Sequence, residues 1–265
     1  MSLYREAPII SRRRTLTAQI FVIIRKEWKD LQSTLFSYNN LMAGVWPMLL
    51  FCLAFGVYEP LRLGTDWLRS PMMVFSCSML VPFIAIGFIS PYSFVGERKR
   101  GTLEPLLATP VSDQAILFGK IGIAVLYGWG VALVSMLLGL GSINLFITNG
   151  KLLLYPASIV LPTLLLSLFF SLLVAVLGTN YSLYARSLLE AQNNLGMTLF
   201  IPLILPAFWV GPFMPAAWKL SIVQMVTYLG ATNLFLILIV LLLMVDGMVI
   251  GIALTRFHRK QLLLE

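Results

Sequence analysis

The sequence is short of the groups that keep a domain in water or that carry enzyme chemistry. Charged residues make up 11% and hydrophobic residues 59% of its 265 residues, whereas a soluble domain has roughly 25% and about 45–50%. It has one histidine and two cysteines, Cys52 and Cys77, both in apolar runs without Cys-x-x-Cys spacing. A water-soluble shell is therefore excluded, and neither a metal site nor a disulfide framework is indicated.

The sequence also lacks a nucleotide site and a catalytic constellation. Residues 96–102 spell G-x-x-x-x-G-T, but the lysine of a phosphate-binding loop is missing and no strand precedes the segment. His258 lies in a basic tail without a second histidine to form a ligand pair. We therefore expect a non-enzyme that binds no cofactor and takes its energy from another subunit or from an ion gradient.

What the chain does have is a series of long apolar runs, which predict an all-α membrane protein with six crossings. Residues 210–228, between the last two runs, carry proline, tryptophan and lysine and predict one or two short helices at the outer interface. The six predicted crossings are 41–58, 71–95, 116–146, 152–177, 195–208 and 232–255.

Basic residues set the predicted orientation of these crossings. The net charge of +8 indicates orientation in a membrane rather than nucleic-acid binding. An even number of crossings with both termini in the cytoplasm leaves only four of the 19 Lys and Arg outside, as the positive-inside rule requires. The four outside are Arg62, Arg69, Lys151 and Lys219.

Three regions follow from this topology. Residues 1–34 hold a cytoplasmic amphipathic helix, 35–255 the membrane domain, and 256–265 a basic cytoplasmic tail. In the first region apolar residues recur at helical spacing while charges occupy much of the remaining surface, which predicts a helix lying on the inner membrane face. Its most characteristic residues are Arg25, Lys26, Glu27, Trp28 and Lys29.

The stretch from Gly96 to Asp113 is the one densely charged interior loop. Thr102 is expected to cap a short helix, and Ser112 with Asp113 to cap the next crossing. Three leucines, Leu103, Leu106 and Leu107, then project from one side. An apolar face between two caps favours docking in a groove of a cytoplasmic partner, and the alternative is a positively charged membrane anchor.

Asp246 is the one acidic residue predicted well inside a crossing. An ionised carboxylate there costs about 2.5–3.5 kcal/mol on insertion scales unless it is paired or protonated. Asp246 is therefore either a functional residue or a polar packing residue at a helix interface. Gly247 and Gly251 follow at a spacing that permits close helix approach.

The charged loop resembles that of the membrane subunits of type-2 ATP-binding-cassette exporters. Their pattern is roughly E-R-x-x-G-T-L-E-x-L-L-x-x-P followed by a lysine about ten residues later. The basic helix at residues 25–31 is similar to that family's amphipathic N-terminal helix. The matching loop residues are Glu97, Arg98, Gly101, Thr102, Leu103, Glu104, Leu106, Leu107, Pro110 and Lys120.

This resemblance implies a permease subunit in a prokaryotic cytoplasmic membrane. It implies a second permease subunit, identical or related, two ATPase subunits that bind ATP and magnesium, and a loop that acts as a coupling helix. It also implies a solute path at the dimer interface, for which Phe88, Phe94, Phe200, Phe208 and Asp246 are candidates. The alternatives are a cytochrome-assembly permease of the same family, an ion-coupled carrier that uses Asp246, and an intramembrane enzyme, for which no nucleophile or metal constellation is visible.

Overall fold

A computed structural model describes residues 15–35, 45–148, 151–208 and 216–257, and it is helical, without strands, over these ranges. Helices are numbered in chain order. They are α1 (Leu16–Leu35), α2 (Trp46–Arg69), α3 (Met73–Arg100), α4 (Leu103–Leu107), α5 (Asp113–Phe146), α6 (Ala157–Tyr184), α7 (Leu188–Phe208) and α8 (Ala216–Arg256).

Five helices of the described residues are long and apolar enough to cross a membrane, by length and composition. They are α2, α3, α5, α6 and the Asn233–Thr255 part of α8. The predicted crossing at 195–208 falls in α7, a helix of 21 residues that is not one of the five. Multiple crossings are thus supported, while the count of six stays a prediction.

Residues 59–70, which join the first two predicted crossings, are mostly helical. A π-helical turn, Ala54–Tyr58, leads into an α-helical turn, Glu59–Leu63, and a 3-10 segment, Gly64–Arg69. Gly64 has a φ of 63°, which a glycine adopts readily, and this residue allows the change of direction. Trp67 and Leu68 are buried, so the segment packs against its neighbours instead of extending into water.

The predicted crossing at 152–177 begins later than expected. Residues 151–156 are not helical, and α6 starts at Ala157 after an extended Pro156. Asn144 explains the ordered connection: its side chain accepts from the Leu153 N–H at 2.7 Å and donates to the Leu153 carbonyl at 2.9 Å. The connection therefore takes its hydrogen bonds from the end of α5.

The segment before the last crossing is helical from Ala216, and Gly230 interrupts α8 with a φ of 72° and a ψ of 154°. The break separates the predicted outer segment from the crossing that starts at Asn233. Residues 209–215 and the basic tail with His258 lie outside the described residues. The position of the outer segment at the membrane surface stays a prediction.

Helix α6 lies at the centre and contacts α3, α5, α7 and α8. Buried hydroxyls join it to α3 where that helix is irregular. Ser90 donates to the Ala175 carbonyl at 2.7 Å, and Ser182 donates to the Pro91 carbonyl at 2.6 Å while accepting from the Phe94 N–H. Polar groups in an apolar interior need such partners, so these bonds fix how α3 and α6 pack.

Helix α1 packs along α5, and one glycine allows the close approach. A Cβ on Gly119 would lie 2.4 Å from Cγ2 and 2.7 Å from Cβ of Ile23. Both distances are far below van der Waals contact, and the Ile23 Cβ is held by the backbone of α1. Any larger residue at this position must push the two helices apart.

We expect Gly119→Val to lower the free energy of unfolding by about 1–3 kcal/mol, because overpacking displaces α1. Gly130→Val is the matched control on the same helix, since a Cβ at Gly130 meets nothing within 4 Å. Thermal unfolding of both variants in detergent measures the difference. Equal stabilities would show that α1 is not closely packed on α5.

Candidate functional site

An ionic cluster lies where α1, the end of α3 and the start of α5 meet, and Lys120 is at its centre. Lys120 and Glu97 are each only 1% exposed. Lys120 Nζ lies 3.0 Å from Glu27 Oε1 and 3.1 Å from Glu97 Oε2, and it donates to the Ser93 carbonyl at 2.9 Å. It also lies 4.8 Å from the centre of the Phe94 ring. One buried ammonium group therefore joins three helices.

Lys26 is a second cation in this ionic cluster. Its ammonium group contacts Glu97 Oε1, Glu27 Oε1 at 3.2 Å and Asp30 Oδ2 at 3.5 Å. The three carboxylates lie within 4.8 Å of one another, a spacing that would suit a metal ion. Because Lys26 contacts all three carboxylates, its ammonium group supplies positive charge at the position that a metal ion would take. We therefore interpret the cluster as an ion-pair network.

The pKa values of the two α1 members shift in the directions that keep both charged. Burial alone would raise the pKa of Glu27, but the attraction of Lys120 and Lys26 outweighs it and lowers that pKa below 4.5. Burial alone would lower the pKa of Lys26, but Glu27 and Glu97 raise it above 10.5. Both shifts favour the ionised forms, so both side chains are charged near neutral pH.

The charged loop is connected to this cluster through its own backbone. Gly101 ends α3 in the left-handed region with a φ of 66°, and the Thr102 N–H donates to the Glu97 carbonyl at 3.0 Å. Arg98 reaches the other way and donates to the Leu183 carbonyl at 2.8 Å and the Ala185 carbonyl at 3.0 Å. Glu97 thus joins the loop to α1 and α5, while Arg98 joins it to the end of α6.

The three leucines of α4 do not form an exposed face, which corrects the expectation of an apolar docking surface. Leu103, Leu106 and Leu107 are buried in the protein's own core, in the same cluster as Ile23 and Phe94. The physical reason is that α4 lies against the bundle, so its apolar side packs inwards. The exposed residues of the loop are Arg98, Lys99, Arg100, Gly101, Thr102, Glu104, Pro105, Ala108 and Pro110.

The two expected caps differ. The Thr102 side chain makes no cap hydrogen bond to α4 and instead donates to the Glu97 carbonyl at 3.4 Å. Ser112 accepts from the Ala115 N–H at 3.3 Å, as a capping residue of α5 does. The backbone N–H of Ser112 bonds the Gln19 side chain at 3.0 Å, so both ends of the loop are held by α1.

The structure divides the predicted residues of α1 into two sets. Arg25, Trp28 and Lys29 are exposed, whereas Lys26 and Glu27 turn towards the bundle and enter the ionic cluster. The outward set has the mixed basic and aromatic character of a helix at a membrane surface.

The structure describes the side chains of three of the predicted path residues, Phe88, Phe94 and Asp246. Phe94 is buried and packs on Phe257, with ring centres 5.7 Å apart. Phe88 lines a cavity of about 70 Å³ that the ionic cluster borders through Glu27, Asp30 and Lys120. The side chains of Phe200 and Phe208 lie outside the described residues.

Asp246 lies in the packed face of α8 and is 2% exposed. Both carboxylate oxygens lack a hydrogen-bond partner among the described residues. Its buried neighbours along α8 are Ile239, Leu242 and Ala253, and α6, the helix that α8 packs against, carries no acidic or basic residue. An unpaired carboxyl group in such surroundings costs free energy, which the packing of α6 and α8 has to offset.

Sequence reasoning missed the ionic cluster, although it had singled out Lys26, Glu27, Glu97 and Lys120 for other reasons. Glu97 and Lys120 appeared only as parts of the loop motif, and Lys26 and Glu27 only as surface residues. The available signal was Lys120 itself, a lysine seven residues into the long helix α5, since a buried ammonium group requires nearby carboxylates.

The described helices and their charged loop define the class of the molecule: a polytopic helical membrane protein with an anchored loop at one end of its bundle. The family model described as ABC-2 family transporter protein matches residues 23–189, more than half of the chain. The chain therefore belongs to the ABC-2 family of transporter proteins. The matched range contains every residue of the ionic cluster and of α4.

A bacterial permease resembles part of the chain. The chain is 28% identical over 130 residues to a protein of Bacillus subtilis named ABC transporter permease protein NatB. That match covers 48% of this chain and 33% of the relative, so the chain spans about a third of the length of the relative it matches. The family and this relative together support the assignment of the chain as a membrane transport subunit.

We expect Lys120→Ala to lower the free energy of unfolding by about 3–5 kcal/mol, because it removes the buried cation and leaves Glu97 and Glu27 with Lys26 as their one cation in the cluster. Arg62→Ala is the control: it breaks the pair of Arg62 with Glu59 at 2.8 Å, and exposed pairs contribute about 0–1 kcal/mol. Thermal unfolding in detergent compares them. Similar losses for the two variants would contradict the buried network.

We expect Asp246→Leu to raise the free energy of unfolding by about 1–3 kcal/mol, because it replaces an unsatisfied buried polar group by an apolar one of similar branched shape. Asp66→Leu, at an exposed acidic residue of the 3-10 segment, should change stability little. The measurement is the unfolding temperature of each purified variant. A loss of stability in Asp246→Leu would mean that the carboxyl group has a stabilising partner.

Proposed function

We propose that the chain is the permease subunit of an ATP-binding-cassette export system and is driven by a separate ATPase subunit through the loop at 97–110. One observation carries the proposal: the loop is exposed on its outer side and held on its inner side by buried ion pairs. A force applied to such a loop reaches the membrane helices instead of being absorbed by side-chain motion.

The contacts suggest how the force would divide. Movement of Glu97 acts on α1 through Lys26 and on α5 through Lys120. Movement of Arg98 acts on the end of α6 through the carbonyls of Leu183 and Ala185. Because α6 contacts four other helices, a displacement of its end would change the packing of much of the bundle. ATP-driven closure of two ATPase subunits would then switch the solute path between inward-facing and outward-facing arrangements.

The surface offered to the ATPase is polar rather than leucine-rich. Glu104 carries a negative charge on the exposed side of α4, and Pro105 and Ala108 leave the helix surface flat beside it. Arg100 stacks over the Tyr92 ring at 5.5 Å, so the basic end of α3 is also ordered. Such a surface suits a groove with basic groups opposite Glu104 and acidic groups opposite Lys99 and Arg100.

The remaining parts of the proposal follow the family. A second permease subunit would complete the solute path, ATP and magnesium would bind to the ATPase partner, and both termini would lie in the cytoplasm of a prokaryotic cell. A cytochrome-assembly permease has no observation in its favour. An ion-coupled carrier has one, the unpartnered Asp246, and it differs by needing no ATPase at all.

The test is to purify the chain from its native membrane and measure the ATPase subunit that comes with it. We expect Glu104→Arg combined with Ala108→Asp to reduce the recovered ATPase about tenfold, the effect of losing 1.4 kcal/mol of binding. The reason is that both changes alter exposed positions and leave the core leucines in place.

Lys151→Glu is the control, since Lys151 is exposed beyond the opposite end of α5. It should leave ATPase recovery unchanged. Full recovery with the double variant would contradict the loop as the docking surface. Transport by the chain in vesicles without any ATPase, abolished by Asp246→Asn, would support the ion-coupled carrier instead.

A further inference from the structure

A cleft of about 400 Å³ lies between α3, α6 and α8. Its walls are almost entirely apolar, with Val74 and Phe75 from α3, Ile159 and Leu166 from α6, and Leu234 and Phe235 from α8. This volume is within the roughly 300–1,000 Å³ of ordinary small-molecule sites. The cleft is separate from the ionic cluster and from α4.

The cleft opens at the end of the bundle opposite the charged loop. Arg69, which borders it, precedes α3, and Arg98 to Arg100 end that helix. A helix of 28 residues is about 42 Å long, so these basic groups lie at opposite surfaces of a membrane. Ile159 and Leu234 lie near the starts of their crossings at the Arg69 end, and Leu166 lies about two turns deeper.

Arg69 is the cationic residue of this lining, and its guanidinium group has no ion pair or hydrogen bond with the described residues. Arg62, in the same helix α2, differs because it pairs with Glu59 at 2.8 Å. Deeper in the cleft the Ser78 hydroxyl already donates to the Val74 carbonyl. The cleft thus combines an unpaired cation at its mouth with an interior that offers no free hydrogen-bond donor.

We propose that this cleft binds an anionic amphiphile, with an acyl chain between α3, α6 and α8 and the acidic head group at Arg69. The apolar walls require an apolar body, since a polar group there would lose its hydrogen bonds to water. The unpaired guanidinium, by contrast, favours a carboxylate or phosphate, with which it can form paired hydrogen bonds. The proposal does not depend on the ATPase partner.

The experiment measures binding of palmitate and of hexadecanol to the purified chain in nanodiscs made of phosphatidylcholine. The two probes share an apolar chain and differ in the charge of the head group. We expect palmitate to bind about tenfold more tightly. Arg69→Gln should remove that difference, whereas Arg62→Gln, the matched control in the same helix α2, should preserve it.

The apolar part of the site is tested by filling it. Ile159→Trp and Leu234→Trp each place a large side chain in the cleft, and we expect each to weaken the binding of both probes at least fivefold. Two separate positions keep the test decisive if one variant fails to fold. Unchanged binding in a folded variant would overturn the cleft as the site.

Competition by a second lipid identifies the kind of head group. Phosphatidylglycerol added to the nanodiscs should displace palmitate if lipid phosphates are accepted, and should fail to do so if only free acids fit. Either result supports an anionic amphiphile. Equal binding of palmitate and hexadecanol, or the same palmitate affinity in Arg69→Gln as in the unsubstituted chain, would overturn the proposal.

Discussion

The buried attraction between Lys120 and the carboxylates of Glu97 and Glu27 is the interaction on which the cytoplasmic end of the proposed topology depends. A single ammonium group joins α1, α3 and α5 at 3.0–3.1 Å. Removing charges from water is costly, so such an arrangement persists only when every charge has close partners. Here Lys26 supplies the second cation, and the Ser93 carbonyl accepts a hydrogen bond from Lys120.

This constraint explains the unusual form of the loop. Glu97 has to remain at the end of α3, and Gly101 then turns the chain so that the leucines of α4 return to the core. Arg98, next to Glu97 in α3, donates hydrogen bonds to the end of α6. The loop is therefore packed against the bundle on one side and polar on the other. The proposed coupling to an ATPase requires both properties.

The membrane domain has different chemistry at its two ends. Near the loop, charges are buried and paired, and the helices are tied together by directional contacts. At the far end, Arg69 has no ion pair within the described ranges and lies beside an apolar cleft. Both α2 and α3 contain π-helical turns, a feature that often marks functional sites. Asp246 is buried on α8, and its carboxyl group has no hydrogen-bond partner in the described part of the chain. Apolar packing by itself does not require a carboxyl group at this position.

The sequence by itself determined the helical class, most of the long apolar helices and the position of the charged loop, because these depend on composition and periodicity. The sequence did not determine the exact helix boundaries, such as the helical turn at Glu59–Leu63 and the late start of α6 after Pro156. Local hydrogen bonds decide those boundaries. Only the tertiary structure decided that Leu103, Leu106 and Leu107 face inwards. It alone also brought Lys26, Glu27, Glu97 and Lys120 together, because residues separated by up to 94 positions meet only when helices pack, and no local pattern encodes that distance.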